Sequence, residues 1–329
     1  MTSSRLRFSV FSVLDHYPGG PRTVRQYYEE TLENLVLAEE LGFEAFWIAE
    51  HHFHEYGVVP NPAVFLAAAS QRTSRIGLGV AVSALPFRNA VLTAEDYAMV
   101  DTLSGGRLHL GVGSGYLKHE FLGFRLTGDR KRERFDENLE ALETLLAGQS
   151  LDRDSEFVRA QDVTLNVQPV QEGGPPLYVA VLRREVAYHV GKAGRRMLSV
   201  PYASVTDLRE VKGIVDDYAR GWSEGGHSGP VPDIGFAFHG YMAETDEAAR
   251  ADAEAAFETY AGSRLYGKSA GWDEITSRGY CLFGGPETIQ SRLEQMHHLG
   301  IRHIMLLSDF GGLAQEKVQK SLSMFASAS

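Results

Sequence analysis

Eight short apolar runs, each about the length of a buried β-strand, recur along the chain with helical patterns between them. They are Phe8 to Leu14, Ala45 to Phe53, Ile76 to Leu85, Arg107 to Val112, Leu177 to Leu182, Met197 to Val200, Ile234 to Met242 and Ile301 to Leu307. Near-continuous apolar character is what a strand covered on both faces needs, whereas a half-exposed strand alternates. The intervening stripes have helical spacing, clearest at Phe135, Leu139, Leu142, Leu145 and Leu146. Glycines such as Gly42 and Gly105 stop the helices before the next strand. Strand-then-helix units repeated in this way, without an internal linker, predict an α/β fold with one domain over residues 1–329. A (β/α)₈ TIM barrel with insertions fits best, and a doubly wound sheet is the competing arrangement.

Two stretches break the rhythm. Residues 149–176 contain short alternating runs, Phe157-Val158 and Val163 to Val167, bounded by polar and Gly/Pro residues, and read as an inserted β-hairpin. Residues 261–281 carry glycines and no clear period, and read as a loop or lid.

Charge and cysteine content narrow the function classes. A formal net charge of -11 argues against nucleic acid or an anionic membrane as partner. Cys281 is the only cysteine, so neither an intrachain disulfide nor a cysteine-rich metal site can form. No apolar core of signal-peptide length opens the chain, and no run of about 18 apolar residues occurs, so a cytoplasmic location is expected.

The second strand run ends in Glu50, His51 and His52, and a barrel carries its chemistry at the carboxyl ends of its strands. A metal-binding HExxH spacing is absent, and along a continuing strand the two histidines would face opposite sides. A strand-tip histidine beside a glutamate suits proton transfer near neutral pH, or a purely structural hydrogen bond. The fourth strand ends in Gly111-Val112-Gly113-Ser114-Gly115-Tyr116, where Tyr116 occupies the third glycine position of a dinucleotide fingerprint. These glycines fit a close approach of backbone to a flat ligand, or simply turns. Ser114 lacks the flanks of a hydrolase nucleophile. Arg183-Arg184, at the start of a helix, would hold a phosphate or stand solvated.

With these residues in place, the chain resembles the bacterial luciferase-like flavin monooxygenase family along nearly its whole length. The resemblance is carried by Leu41 to Ala45 with Glu50 to Phe53, by Asn61-Pro62, by Arg75 to Gly79, by Leu103 to Arg107 running into Gly111 to Gly115, and by Phe283 to Glu287 followed by Leu299 to Ile301. It implies a luciferase-like (β/α)₈ barrel whose mouth holds reduced FMN, supplied by a separate flavin reductase. Dioxygen would form a flavin hydroperoxide that oxygenates an organic small molecule. His51 corresponds to the family's catalytic base, with Glu50 orienting it. A non-prolyl cis peptide is expected at Ala81-Val82 or one step along, so Ala81, Val82 and Ser83 would lie against the flavin. Gly113, Ser114, Gly115 and Tyr116 would line the same site, and Leu182, Arg183 and Arg184 fall where the family's phosphate contacts lie. Many relatives have small residues at that tip, so the arginines depart from the pattern. His16, at the first strand's tip, is a further polar candidate. A homodimer is implied. The alternatives are a deazaflavin-dependent hydride-transfer enzyme of the same superfamily, and a non-catalytic flavin-binding protein or partner subunit.

Overall fold

The computed structural model describes residues 5–263 and 270–328. In chain order it runs β1 (Arg7–Ser12), α1 (Val24–Glu40), β2 (Ala45–Ile48), α2 (Pro62–Ser70), β3 (Gly77–Ala84), α3 (Ala90–Ser104), β4 (Leu108–Gly113), α4 (Lys118–Gly123) and α5 (Lys131–Leu146). There follow β5 (Leu151–Asp154), β6 (Arg159–Val163), β7 (Leu177–Val181), α6 (Arg184–Lys192), β8 (Arg196–Ser199), α7 (Pro201–Ser204) and α8 (Val211–Glu224). The chain closes with β9 (Gly235–Met242), α9 (Asp246–Ser263), α10 (Trp272–Arg278), β10 (Cys281–Gly284), α11 (Pro286–His298), β11 (His303–Asp309) and α12 (Gln315–Ser327).

Local chemistry explains the element boundaries. Thr23 and Gln26 form a reciprocal capping box at the start of α1, and Gly42, at φ 83°, lets the chain turn out of that helix. Asn89 accepts from the backbone N–H groups of Val91 and Leu92 at 3.0 and 3.2 Å, which opens α3. Gly105, left-handed at φ 68°, closes it. No helix among the described residues is long and apolar enough to cross a membrane.

The parallel strands pair in the order β11-β1-β2-β3-β4-β7-β8-β9, and β9 also pairs with β11, which closes an eight-stranded barrel wrapped by helices. Its interior is packed solid. Trp47 lies 5.2 Å from Tyr178 and 5.7 Å from His109, ring centre to ring centre. Gly79 makes room for that indole, since a Cβ there would sit 2.2 Å from Trp47; a Cβ at Gly77 would sit 2.8 Å from His109. Burial pushes His109 down to about 4, so it fills the barrel as a neutral ring.

Three details depart from expectation. The hairpin strands are β5 and β6, not Phe157-Val158 and Val163 to Val167. Their sequences, Leu-Asp-Arg-Asp and Arg-Ala-Gln-Asp-Val, are charged and mostly exposed, so no apolar alternation marks them. Of the stretch 261–281 expected as a loop or lid, residues 264–269 lie outside the described residues. Residues 261–263 complete α9, and Trp272–Arg278 form α10, anchored by Trp272 stacked on Phe283 at 4.3 Å. Finally, β10 adds a ninth strand to the sheet by pairing with the second half of β9, from Cys281 against His239 to Gly284 against Met242. The first part of that β9 edge pairs with β8 instead.

Candidate active site

The carboxyl ends of β2, β3 and β4 meet at the barrel mouth, where the chain turns from apolar strand to polar tip. At the β2 tip, Glu50, His51 and His52 are all buried. His51 Nδ1 lies 3.2 Å from Oε1 of Glu120, a residue of α4, and the same carboxylate oxygen accepts from the His52 backbone N–H at 3.0 Å. A carboxylate holding Nδ1–H leaves Nε2 as the imidazole's accepting nitrogen, the arrangement a general base needs.

Glu50, expected to orient His51, has other partners. Its Oε1 lies 3.1 Å from His52 Nε2, and its Oε2 accepts from Ser83 Oγ at 3.2 Å. Alternation along an extended tip explains the exchange, because Glu50 and His52 share one side and His51 takes the other. His119 Nε2, 2.9 Å from the His52 carbonyl oxygen, ties α4 to the same turn.

Facing this tip, the Ala81–Val82 peptide bond is cis, and the β3–β4 register slips between Val80 and Ser83. Gly113 lies against Val82, where a Cβ would sit 2.6 Å from the valine Cγ2. Gly115, at φ 67°, turns the chain beneath Phe87 and Phe121, where a Cβ would meet their rings at 3.1 and 3.2 Å. Ser114 is half-buried, and Tyr116 is exposed. Phe124 stacks on Phe87 at 5.0 Å and lies 5.0 Å from the exposed ring of Phe53, so an aromatic wall borders these tips.

Positive charge gathers beside Gly115. Lys131, the first residue of α5, donates to the Gly115 carbonyl oxygen at 3.1 Å. Partial burial, and then the charge of Arg183 just past the β7 tip, lower its pKa. Arg184 does not join them: its guanidinium donates to Asp217 of α8 at 2.7 Å. Leu182 is half-buried at the β7 tip. His16 is engaged elsewhere, with Nε2 2.7 Å from the carbonyl oxygen of Arg22 in its own loop.

Glu120 and Lys131 are the residues that inspection of the sequence missed. The only local signal for Glu120 was its place in Leu117-Lys118-His119-Glu120, directly after the glycine-rich tip. Lys131 sits in a charge run that reads as solvated surface. Among the described residues, no group of three or more His, Cys, Asp or Glu side chains could hold a metal ion.

Comparison with known proteins agrees with this architecture. The profile of the luciferase-like monooxygenase family matches residues 6–303, and the chain belongs to that family. Limonene 1,2-monooxygenase of Rhodococcus erythropolis is 31% identical over 68% of this chain and 57% of its own length. The oxygenase component of the flavin-dependent trigonelline monooxygenase of Acinetobacter baylyi is 29% identical over 53% of this chain and 49% of its own. The chain thus spans less than two thirds of the length of these curated relatives. The crystal structure of the monooxygenase RslO1 from Streptomyces bottropensis superposes with a TM-score of 0.91, at 29% identity and 98% coverage of both chains. The protein is an enzyme of this family.

Proposed function

We propose that the protein is the oxygenase of a two-component flavin monooxygenase, using reduced FMN and dioxygen to insert one oxygen atom into an organic small molecule. The observation that carries this reading is the buried His51, its Nδ1 held by Glu120 at 3.2 Å, at the mouth of the barrel. The monooxygenase names of the three relatives described above support it, while an F420-dependent glucose-6-phosphate dehydrogenase of Nocardia farcinica, 34% identical over 50% of this chain, keeps the deazaflavin reading as the alternative.

The residues present fit FMN. Gly113 and Gly115 leave room for Val82, Phe87 and Phe121 to close over the β4 tip, which supports an apolar and aromatic surface for a flat ring system there. Lys131 and Arg183 supply cations for its phosphate despite the chain's overall negative charge. Bound reduced FMN would supply the electrons that activate dioxygen. The trigonelline relative is named as an oxygenase component, which supports delivery of the reduced flavin by a separate reductase. His51 manages protons through Nε2, Glu120 holds its ring, and Glu50 fixes the His52 side of the turn.

Val64, Leu92, Met99 and Leu103 stand exposed on α2 and α3, and we assign this apolar face to a homodimer, which sedimentation velocity would detect. The assignment of His51 is tested by His51→Ala. Coupled turnover should fall at least about 100-fold with FMN affinity retained, whereas full turnover with normal flavin binding would remove the histidine from the mechanism.

A further inference from the structure

Three tyrosine hydroxyls converge at Tyr56, the tyrosine whose ring packs against His51. Tyr56, from the loop after β2, lies 2.8 Å from the hydroxyl of Tyr260 on α9 and 3.3 Å from that of Tyr202 on α7; Tyr202 and Tyr260 are 3.2 Å apart. The Tyr56 ring packs edge-on against the His51 ring at 4.7 Å. Tyr202 and Tyr260 also line a cavity of 260 Å³ with His239, Phe257, Ile275 and Tyr280. The His239 ring, from β9, sits 4.7 Å from Tyr202, 5.0 Å from Tyr260 and 5.2 Å from Phe257. The cavity therefore has aromatic walls, and the hydroxyls of Tyr202 and Tyr260 in its lining meet that of Tyr56, whose ring packs on His51.

We propose that this cavity is the substrate subsite, and that it takes a flat, uncharged compound of one or two rings bearing a hydroxyl or carbonyl oxygen. Its meaning for catalysis rests on the monooxygenase reading above. Size sets the first limit: a cavity of about 150 Å³ accommodates benzene, so 260 Å³ suits a second fused ring. Charge sets the second. Among the described residues lining it, Glu274 and Arg278 are paired to each other at 2.7 Å, which provides no uncompensated charge for an ionic substrate. Polarity sets the third, because tyrosine hydroxyls, each a donor and an acceptor, cluster at this end of the lining, where an oxygen function is matched and a bare hydrocarbon is not. An analogue lacking that oxygen would bury the cluster without the bond, which is the stronger source of discrimination. The bound oxygen would meet the cluster through Tyr202 and Tyr260, which line the cavity and reach His51 only by way of Tyr56.

The test is fluorescence titration of the whole chain, without reductant, using 2-naphthol, naphthalene and 2-naphthoate. 2-Naphthol should bind at least about tenfold more tightly than either of the others. Tyr202→Phe and Tyr260→Phe should each weaken 2-naphthol about fivefold while leaving naphthalene within about twofold. Val205→Trp, at a half-buried position on the cavity wall, should weaken both neutral compounds, and circular dichroism would verify that each variant is folded. Equal affinity for 2-naphthol and naphthalene, or binding unchanged by Val205→Trp, would overturn the subsite. Oxygen consumption by the FMN-loaded protein without the naphthol preference would contradict the subsite alone. The expected binding pattern without any oxygen consumption would support the subsite and contradict the monooxygenase reading.

Discussion

Glu120 holds His51: Oε1 of the glutamate lies 3.2 Å from Nδ1 of the histidine, joining a short helix after β4 to the tip of β2. The carboxylate also accepts from the His52 backbone at 3.0 Å, so it positions the turn as well as the ring. Both partners are buried, and replacing one leaves polar atoms of the other without compensation.

Glu120→Gln should therefore reduce coupled turnover about 10- to 100-fold, part of the roughly 10²- to 10⁴-fold that positioned proton transfer contributes. FMN affinity should stay within about threefold, because the carboxylate acts through His51. Glu120→Asp should recover part of the loss. Steady-state kinetics beside flavin titration separates the two effects; equal loss of turnover and flavin binding would make Glu120 a structural residue only.

The cation pair beside Gly115 predicts a phosphate-specific defect. Lys131→Ala and Arg183→Ala should each weaken FMN about tenfold and leave riboflavin, which lacks the phosphate, almost unaffected. Arg184→Ala should change neither, because that guanidinium is bound to Asp217. Fluorescence quenching with the two flavins checks all three variants.

A buried pair of carboxylates behind the mouth predicts a pH effect on stability. Burial, and then the neighbouring Asp15, push Asp309 up to about 7; burial pushes Asp15 up to about 6. An unfolded aspartate titrates near about 3.9, so the folded protein holds these protons more tightly. Their stabilising contribution is complete below about pH 4 and is lost as pH rises through about 6 and about 7. His109 and His303, pushed down to about 4 and about 3 by burial, act in the opposite sense, so the unmodified protein does not isolate the carboxylates. Asp309→Asn does. Its stability relative to the unmodified protein should rise by a few kcal/mol between about pH 4 and about pH 7 and then level off. Urea unfolding across that range would detect the rise, and a difference constant with pH would contradict it.

The barrel was legible because its strands are apolar on both faces and its tips turn polar abruptly. Ala45 to Ile48 leading into Glu50 and His51 shows this most clearly. The glycines at the β4 tip read as a close approach to a flat ligand or as turns; Gly113 packs on the Val82 side chain, and the room that Gly79 leaves for Trp47 carried no sign in the sequence. Glu120 was obscure because its contact with His51 spans 69 residues and its meaning comes only from that contact. Lys131 was obscure because a cation in a charge run carries no sign of the carbonyl and the arginine beside it. The strands β5 and β6 lack apolar alternation, and β10 pairs only with the part of the β9 edge that β8 does not reach, so periodicity could reveal neither.

The central claim is that this mouth binds reduced FMN and turns it on dioxygen. The direct measurement is anaerobic titration with reduced FMN and with a reduced deazaflavin, followed by admission of oxygen while its consumption is recorded. Reduced FMN should bind at least about tenfold more tightly, with oxygen consumed by the complex. Preference for the deazaflavin, with no oxygen consumed, would keep the barrel and make the enzyme a hydride-transfer catalyst.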